Sequence, residues 1–382
     1  MRVLFSCTAT EGHVAPLVPL ARAFADLGHD VAFATAPAFE ARVRSEGFAT
    51  LSAGLDQAQI RARMEEYRPR LLGLPPAERR PVAYTSRFAL VDAPAKLPEL
   101  LRAAKDWRPE LLVHDASELC APPVAASVGI PSVNQGFGQV IPAACHEHAA
   151  DAVRALWDAV GLAPEPWNGM YRGAYVDICP PSLAGETVPG GTPTYLRRPA
   201  TPRPPAPKPP WQPARPDLPN VYVTLGTVLD EADVLRLLLN ALADVDCNVL
   251  MTIGRGGDPA SLAPWPANAT VERFVPQADV LPYCSVVVSH GGSGTTYGAL
   301  AHGLPLLMLP HGADQFENAA AARAAGVAEA LMPHEIETAA IRSAVAALST
   351  EAGYAARARE IAAEIAAMPD AGAVAATLAE SV

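Results

Sequence analysis

Residues 290–296 read His290-Gly291-Gly292-Ser293-Gly294-Thr295-Thr296 and follow the apolar run Cys284-Ser285-Val286-Val287-Val288-Ser289. A short run rich in valine and ended by glycines predicts a buried strand and a tight turn. Tyr297-Gly298-Ala299-Leu300-Ala301 then opens a helix. Backbone amides freed by the glycines, with the positive end of that helix, suit a diphosphate. His290 stands at the strand end, where an imidazole nitrogen can donate to a phosphate oxygen. Strand, glycine turn and helix in this order form the repeating unit of a doubly wound α/β sheet.

The segment is neither of the common phosphate loops. No lysine follows its glycines, as a Walker loop requires. The N-terminal strand, residues 3–7, runs into Thr8-Ala9-Thr10-Glu11-Gly12-His13 with a single glycine, so the dinucleotide fingerprint is missing as well. A glycine-rich turn can also serve packing alone, so the surrounding residues decide its meaning.

The same alternation extends in both directions. Strands are predicted at residues 3–7, 31–35, 110–115 and 130–133, with helices at 16–27, after 36, and at 121–128. The second half predicts strands at 221–225, 248–253, 270–274, 284–289 and 306–310, a helix at 235–243, and an alanine-rich helix at 354–368. Between the halves lies PATPRPPAPKPPWQPARP, residues 199–216, which favours extended polyproline geometry. It is expected to connect two domains, a long surface loop being the alternative. The expected division is 1–198, a linker at 199–217, and 218–382, with a final helix able to cross back. Two such sheets place their ligand at the carboxyl ends of the strands.

Composition narrows the function. The 382 residues exceed one ordinary core, half are hydrophobic, and 18% are charged, as in a globular protein. A formal net charge of -11 argues against general nucleic-acid binding. The six cysteines, Cys7, Cys120, Cys145, Cys179, Cys247 and Cys284, are scattered without a CxxC pair and read as buried thiols of a reducing compartment. No signal peptide and no membrane span are expected, which points to the cytoplasm.

In the second half, chemistry-bearing residues fall at strand ends. Gly226-Thr227 offers an amide and a hydroxyl to an anion. Phe274-Val275-Pro276-Gln277 puts a ring where a base can stack and backbone where its polar edge can pair. Asp314-Gln315 supplies the acceptors and donors that bind vicinal hydroxyls. Each has an ordinary reading too: Phe274 as core, Asp314 as a helix cap. Together they point to a nucleotide-sugar site.

With Phe274-Val275-Pro276-Gln277, the 290–296 segment, Gly303-Leu304-Pro305, Asp314-Gln315-Phe316-Glu317-Asn318 and Gly12-His13-Val14-Ala15-Pro16-Leu17 in view, the chain resembles a known family. It is similar to the inverting GT-B glycosyltransferases of the UDP-glucuronosyl and plant secondary-product group. The closer resemblance is to bacterial transferases that decorate antibiotics with deoxysugars. The resemblance implies a GT-B fold, with two doubly wound Rossmann-like domains facing a cleft. It implies His13 as general base, with a pKa suited to neutral pH, and Asp115 as its orienting carboxylate, Glu118 being the fallback. Without the motif, His13 would read as a solvent-facing histidine at a helix start.

The donor-binding set it implies is Gly12, Gly226, Thr227, Arg255, Phe274, Val275, Gln277, His290, Gly291, Gly292, Ser293, Gly294, Thr295, Asp314 and Gln315, with Thr296 beside them. The acceptor candidates are Met64, Tyr67, Phe88, Phe137, Trp167 and Met170. It implies no metal and no cofactor beyond the nucleotide-sugar co-substrate. Asp244-Val245-Asp246 spells the metal-binding Asp-x-Asp, but its turn setting predicts solvent-facing carboxylates. Members using UDP-sugars commonly hold the ribose with a glutamate where this chain has Gly298, so the implied donor is a dTDP-deoxysugar in preference to a UDP-sugar. The implied partners are that donor and a hydrophobic small-molecule aglycone, on a monomer or homodimer. Two alternatives stand beside this reading: a nucleotide-sugar 2-epimerase, which needs further carboxylates, and a non-catalytic auxiliary partner, which would not need His13 and His290.

Overall fold

The computed structural model describes residues 1–199, 211–226 and 232–381. The chain divides into two compact units, one of Met1–Cys179, Glu186–Arg197 and Pro369–Val382, the other of Pro180–Gly185 and Arg198–Met368. Each is a parallel sheet covered by helices.

The N-terminal unit carries β1 (Arg2–Ser6), β2 (Asp30–Thr35), β3 (Ala49–Ser52), β4 (Leu111–Asp115), β5 (Ser132–Gln135), β6 (Ala174–Asp177) and β7 (Thr194–Leu196). They form one seven-stranded parallel sheet in the order β3-β2-β1-β4-β5-β6-β7. The order reverses beside β1 and β4, so the segments leaving these two strands diverge at a switch point. Side chains alternate between faces. Val3, Phe5, Leu111 and Val113 join the core beneath helix Glu11–Asp26, while Leu4 and Leu112 join the core on the other face.

The C-terminal unit carries β8 (Asn220–Thr224), β9 (Asn248–Thr252), β10 (Ala269–Glu272), β11 (Val286–Ser289), β12 (Leu306–Met308) and β13 (Ala328–Ala330). They form a six-stranded parallel sheet in the order β10-β9-β8-β11-β12-β13. Strand β11 lies between β8 and β12 and is wholly buried, which is why its sequence is a continuous valine run.

Several segments depart from expectation. β5 starts two residues late, because Pro131 has no N–H and its carbonyl instead accepts from the Leu112 amide at 3.1 Å. Residues 180–185 join the C-terminal unit, where Ser182 donates its amide and hydroxyl to Glu364 at 2.8 and 2.5 Å. The last helix, Ala371–Ser381, belongs to the N-terminal unit, the crossing back that the expected division allowed. It buries Val374, Ala375 and Leu378 in the core beneath Glu11–Asp26. Ala352–Ser381 is long and apolar enough to cross a membrane by composition, which the sequence reading did not count. It folds here as two helices, Ala352–Ala367 and Ala371–Ser381, broken at Met368-Pro369-Asp370. Most of the proline-rich connector, residues 200–210, and Thr227 lie outside the described residues.

Candidate active site

In the N-terminal unit the site begins at the switch point. Helix Glu11–Asp26 starts five residues after β1, and its third residue is His13. Asp115 is the last residue of β4. His13 Nδ1 lies 3.2 Å from Asp115 Oδ1, at ion-pair distance without the alignment of a full hydrogen bond, the looser geometry common in unliganded sites. The carboxylate is fully buried and held from three sides. Oδ2 accepts from the Thr8 amide at 2.9 Å and Oδ1 from the Ser117 amide at 2.7 Å. Burial alone would push this carboxyl up. His13 and the two amides outweigh burial and hold it below the usual carboxylate range. Asp115 is therefore ionised at neutral pH and presents an acceptor to Nδ1 of His13.

The His13 ring packs against Phe137 at 4.4 Å and Phe88 at 5.7 Å between centroids. Two of the expected acceptor residues thus meet the His13 ring. Gly12 is exposed beside it. Trp167 is 37% exposed and part of a neighbouring ring cluster. Met64 and Tyr67 are half-buried outside that cluster. Met170 requires correction: it is 1% exposed and sits in the hydrophobic core, so it lines no surface. Glu118, the fallback orienting group, turns away. It accepts from Lys96 Nζ at 2.5 Å, from Ser6 Oγ at 3.2 Å and from the Cys120 thiol at 3.1 Å.

In the C-terminal unit the glycine segment folds as a strand end, a turn and the nine-residue helix Ser293–Ala301. The His290 imidazole is wedged between two backbones. A Cβ at Gly226 would lie 2.9 Å from its Cε1, and one at Gly292 would lie 2.6 Å from its Nε2. A side chain at either position would have to displace the His290 ring, and the φ of +83° at Gly226 favours glycine besides. Nδ1 of His290 is buried with no hydrogen-bond partner among the described residues. Burial holds this ring below its usual pKa, against the pull of Asp314, so it is neutral near pH 7. Gly294, in the first turn of the helix, has open space where a side chain would be. Unpaired amides and a histidine N–H at one helix start can receive an anion.

The other donor candidates divide between ligand-ready and engaged groups. Phe274 is 41% exposed, not core, and the Arg255 guanidinium lies over its ring at 3.7 Å. Val275 is half-buried in the same turn. Gln277 Nε2 donates to Thr295 Oγ1 at 2.9 Å. The Thr296 hydroxyl returns to the Gly292 carbonyl at 3.0 Å and braces the helix start. Asp314 Oδ2 accepts from Ser293 Oγ at 2.7 Å and from Asn318 Nδ2 at 3.1 Å, while Asn318 also donates to the Gly291 carbonyl at 2.9 Å. Gln315 Oε1 accepts the amides of His311 and Gly312 at 2.8 and 3.1 Å, leaving its amide N–H groups for a ligand. Asp314 holds the N-cap position of helix Gln315–Ala324 without a capping bond from its side chain. Asp244 and Asp246 are solvent-facing and pair separately with Arg342 at 3.0 Å and Arg215 at 3.3 Å.

Comparison with known proteins adds the chemistry. The Erythromycin biosynthesis protein CIII-like C-terminal domain family matches residues 236–381. The L-demethylnoviosyl transferase of Streptomyces niveus is 33% identical over 92% of this chain and 90% of its own length. The elloramycin glycosyltransferase ElmGT of Streptomyces olivaceus is also 33% identical, over 99% and 97%. The chain belongs to the bacterial antibiotic glycosyltransferases. The solved spinosyn rhamnosyltransferase SpnG, complexed with thymidine diphosphate, superposes on this glycosyltransferase with a TM-score of 0.81 at 26% identity, covering 99% of this chain and 100% of that one. The paired parallel sheets are those of the GT-B fold. These relatives are transferases, and none supports the epimerase or auxiliary alternatives.

Two groups of the transferase escaped the sequence reading. Lys96 and His146 each interrupt the buried stripe of a helix, Ala93–Trp107 and Ala143–Ala159 respectively. Lys96 is 4% exposed and bonds both Glu118 and, at 2.8 Å, the carbonyl of Cys7 in the segment between β1 and His13. Burial pushes its ammonium down, and Glu118 more than restores it. A lysine among alanines and leucines at helical spacing was the signal available.

Proposed function

We propose that this glycosyltransferase moves a deoxysugar from a dTDP-linked donor to a hydroxyl of a hydrophobic natural-product aglycone, with inversion and with His13 as general base. The observation that carries the reading is the 3.2 Å approach of a buried, ionised Asp115 to His13. In the reaction, Nε2 of His13 takes the acceptor proton as the hydroxyl oxygen attacks the anomeric carbon. The bond from that carbon to the diphosphate oxygen breaks on the opposite face. Asp115 stabilises the imidazolium that forms. Charge developing on the leaving diphosphate is met by the amides at the start of helix Ser293–Ala301 and by His290. Phe274, with Arg255 above it, is read as the stacking surface for the base, and Gln315 as a donor to sugar hydroxyls.

Thymidine in preference to uridine rests on Gly298. This residue is buried in the helix, and a side chain there would first meet Leu281 Cδ1 at 3.4 Å. No carboxylate extends from this position to a ribose 2′-hydroxyl, and a deoxyribose needs none. Spinosyn SpnG in its thymidine-diphosphate complex is a relative bearing that nucleotide. Turnover with dTDP- against UDP-linked sugars tests the choice. The reading expects the thymidine donor to prevail, and a strong preference for the UDP donor overturns it.

A further inference from the structure

Among the buried polar side chains of the N-terminal unit that the reaction leaves unused is His146. His146 is 3% exposed, and neither ring nitrogen has a hydrogen-bond partner among the described residues. Its surroundings are rings. Tyr84, Trp167 and Tyr171 meet the imidazole edge-on at centroid distances of 6.0, 5.8 and 5.8 Å. Tyr84 continues to Phe88 at 5.2 Å, and Phe88 to His13 at 5.7 Å. An unbroken run of aromatic side chains therefore joins the catalytic base to His146. Buried polar groups are satisfied as a rule, and an exception calls for a cause. Burial takes this imidazole down to about 4, so the ring is neutral and offers one donor and one acceptor.

The segment over His146 is strained. Trp167, Asn168 and Gly169 have φ of 54°, 59° and 77°, three successive residues in the left-handed region. Glycine enters that region freely, whereas a tryptophan there is an outlier. Gly169 admits no other residue, since a Cβ would collide with the Trp157 ring. Asn168 ties the turn to the helix by donating Nδ2 to the His146 carbonyl at 3.0 Å. Trp167 remains 37% exposed at the rim. Strain of this kind clusters at ligand clamps and switches.

We propose that His146 is an acceptor-binding residue and Trp167 its movable cover. A planar phenolic acceptor lays its rings along the aromatic run, displaces Trp167, and hydrogen-bonds through an oxygen to the imidazole. The proposal rests on the transferase reading and on the N-terminal unit as the acceptor's host.

Binding of 7-hydroxycoumarin and of 1,4-dihydroxyanthraquinone to the full-length protein tests it. Wild type is expected to bind at least one probe with a change in tryptophan emission. His146→Phe keeps the ring volume and is expected to weaken binding about tenfold, the loss of one buried hydrogen bond. His146→Gln, which keeps a donor and an acceptor, recovers part of that loss. Trp167→Phe abolishes the emission change. Unaltered affinity in His146→Phe, an emission change that survives Trp167→Phe, or no binding of either probe to wild type overturns the proposal. Thymidine diphosphate binding, measured on the same samples, reports folding and separates the two readings. If wild type does not bind it, the dTDP-donor reading fails. If every variant binds it and the phenols are indifferent to His146, only this inference fails.

Discussion

Asp115 Oδ1 lies 3.2 Å from His13 Nδ1, and the same carboxylate accepts the amides of Thr8 and Ser117. One buried group thus joins the loop after β1 to the loop after β4 and faces the His13 ring between them. Asp115→Asn removes the charge that stabilises imidazolium and is expected to lower kcat by about a hundredfold or more, with a smaller effect on donor KM. Steady-state kinetics check this, and a kcat within a few-fold of wild type contradicts it.

Acid should act on the same pair. The folded Asp115 carboxyl titrates below its ordinary value, so its stabilising contribution is complete above the unfolded carboxylate range and is lost as pH falls through the folded value. Urea unfolding of wild type and Asp115→Asn from pH 7 downward should therefore converge only in strong acid. Curves that converge already at pH 5 speak against it.

Burial of His146 produces a separate pH effect. Its pKa falls from 6.5 to about 4 on folding, with the neutral phenols of Tyr84 and Tyr171 as ring neighbours. Between these values the unfolded chain binds a proton that the native chain refuses. Stability contributed by the neutral ring is complete above pH 6.5 and declines toward pH 4, by about 3 kcal/mol in all. His146→Phe should lose this portion of the acid sensitivity. Identical slopes of stability against pH in the two proteins would falsify it.

The buried Lys96–Glu118 pair is predicted to be structural support for the segment between β1 and His13. Glu118→Gln leaves a buried ammonium without its counterion and should cost about 3–5 kcal/mol of stability. Lys96→Met with Glu118→Gln removes both charges and should recover much of that loss. The double-mutant cycle measures the coupling; additive effects exclude it.

Close backbone approach to His290 gives a prediction for the donor. Gly292→Ala sets a methyl 2.6 Å from Nε2 and must displace the ring. Thymidine diphosphate affinity is expected to fall about tenfold, or by roughly 1.4 kcal/mol. Calorimetric titration reads the change directly, and an unaltered affinity places the diphosphate away from His290.

Much of this architecture was legible in the chain. Parallel strands buried on both faces write themselves as apolar runs, so residues 3–7 and 284–289 announced β1 and β11 to within two residues. Glycines at the ends of β8 and β11 marked the turns there, whereas the pairing of His13 with Asp115 was expected from the family resemblance and not from spacing. Partnerships among side chains were not legible. Glu118 chose Lys96 from a distant helix, and Met170 went inward because the left-handed turn at 167–169 reverses the chain there. That a final helix could cross back was expected, but local spacing does not reveal its seat, which depends on an apolar face opposite helix Glu11–Asp26.

His13 is proposed to deprotonate the acceptor. Mass-spectrometric detection of sugar transfer, from a panel of dTDP-sugars to hydroxylated aromatic acceptors, tests it most directly when wild type and His13→Ala are run side by side. Wild type is expected to give a glycoside and the variant to lose about 10²–10⁴ in rate, with thymidine diphosphate still bound. Transfer by His13→Ala at the wild-type rate would contradict it.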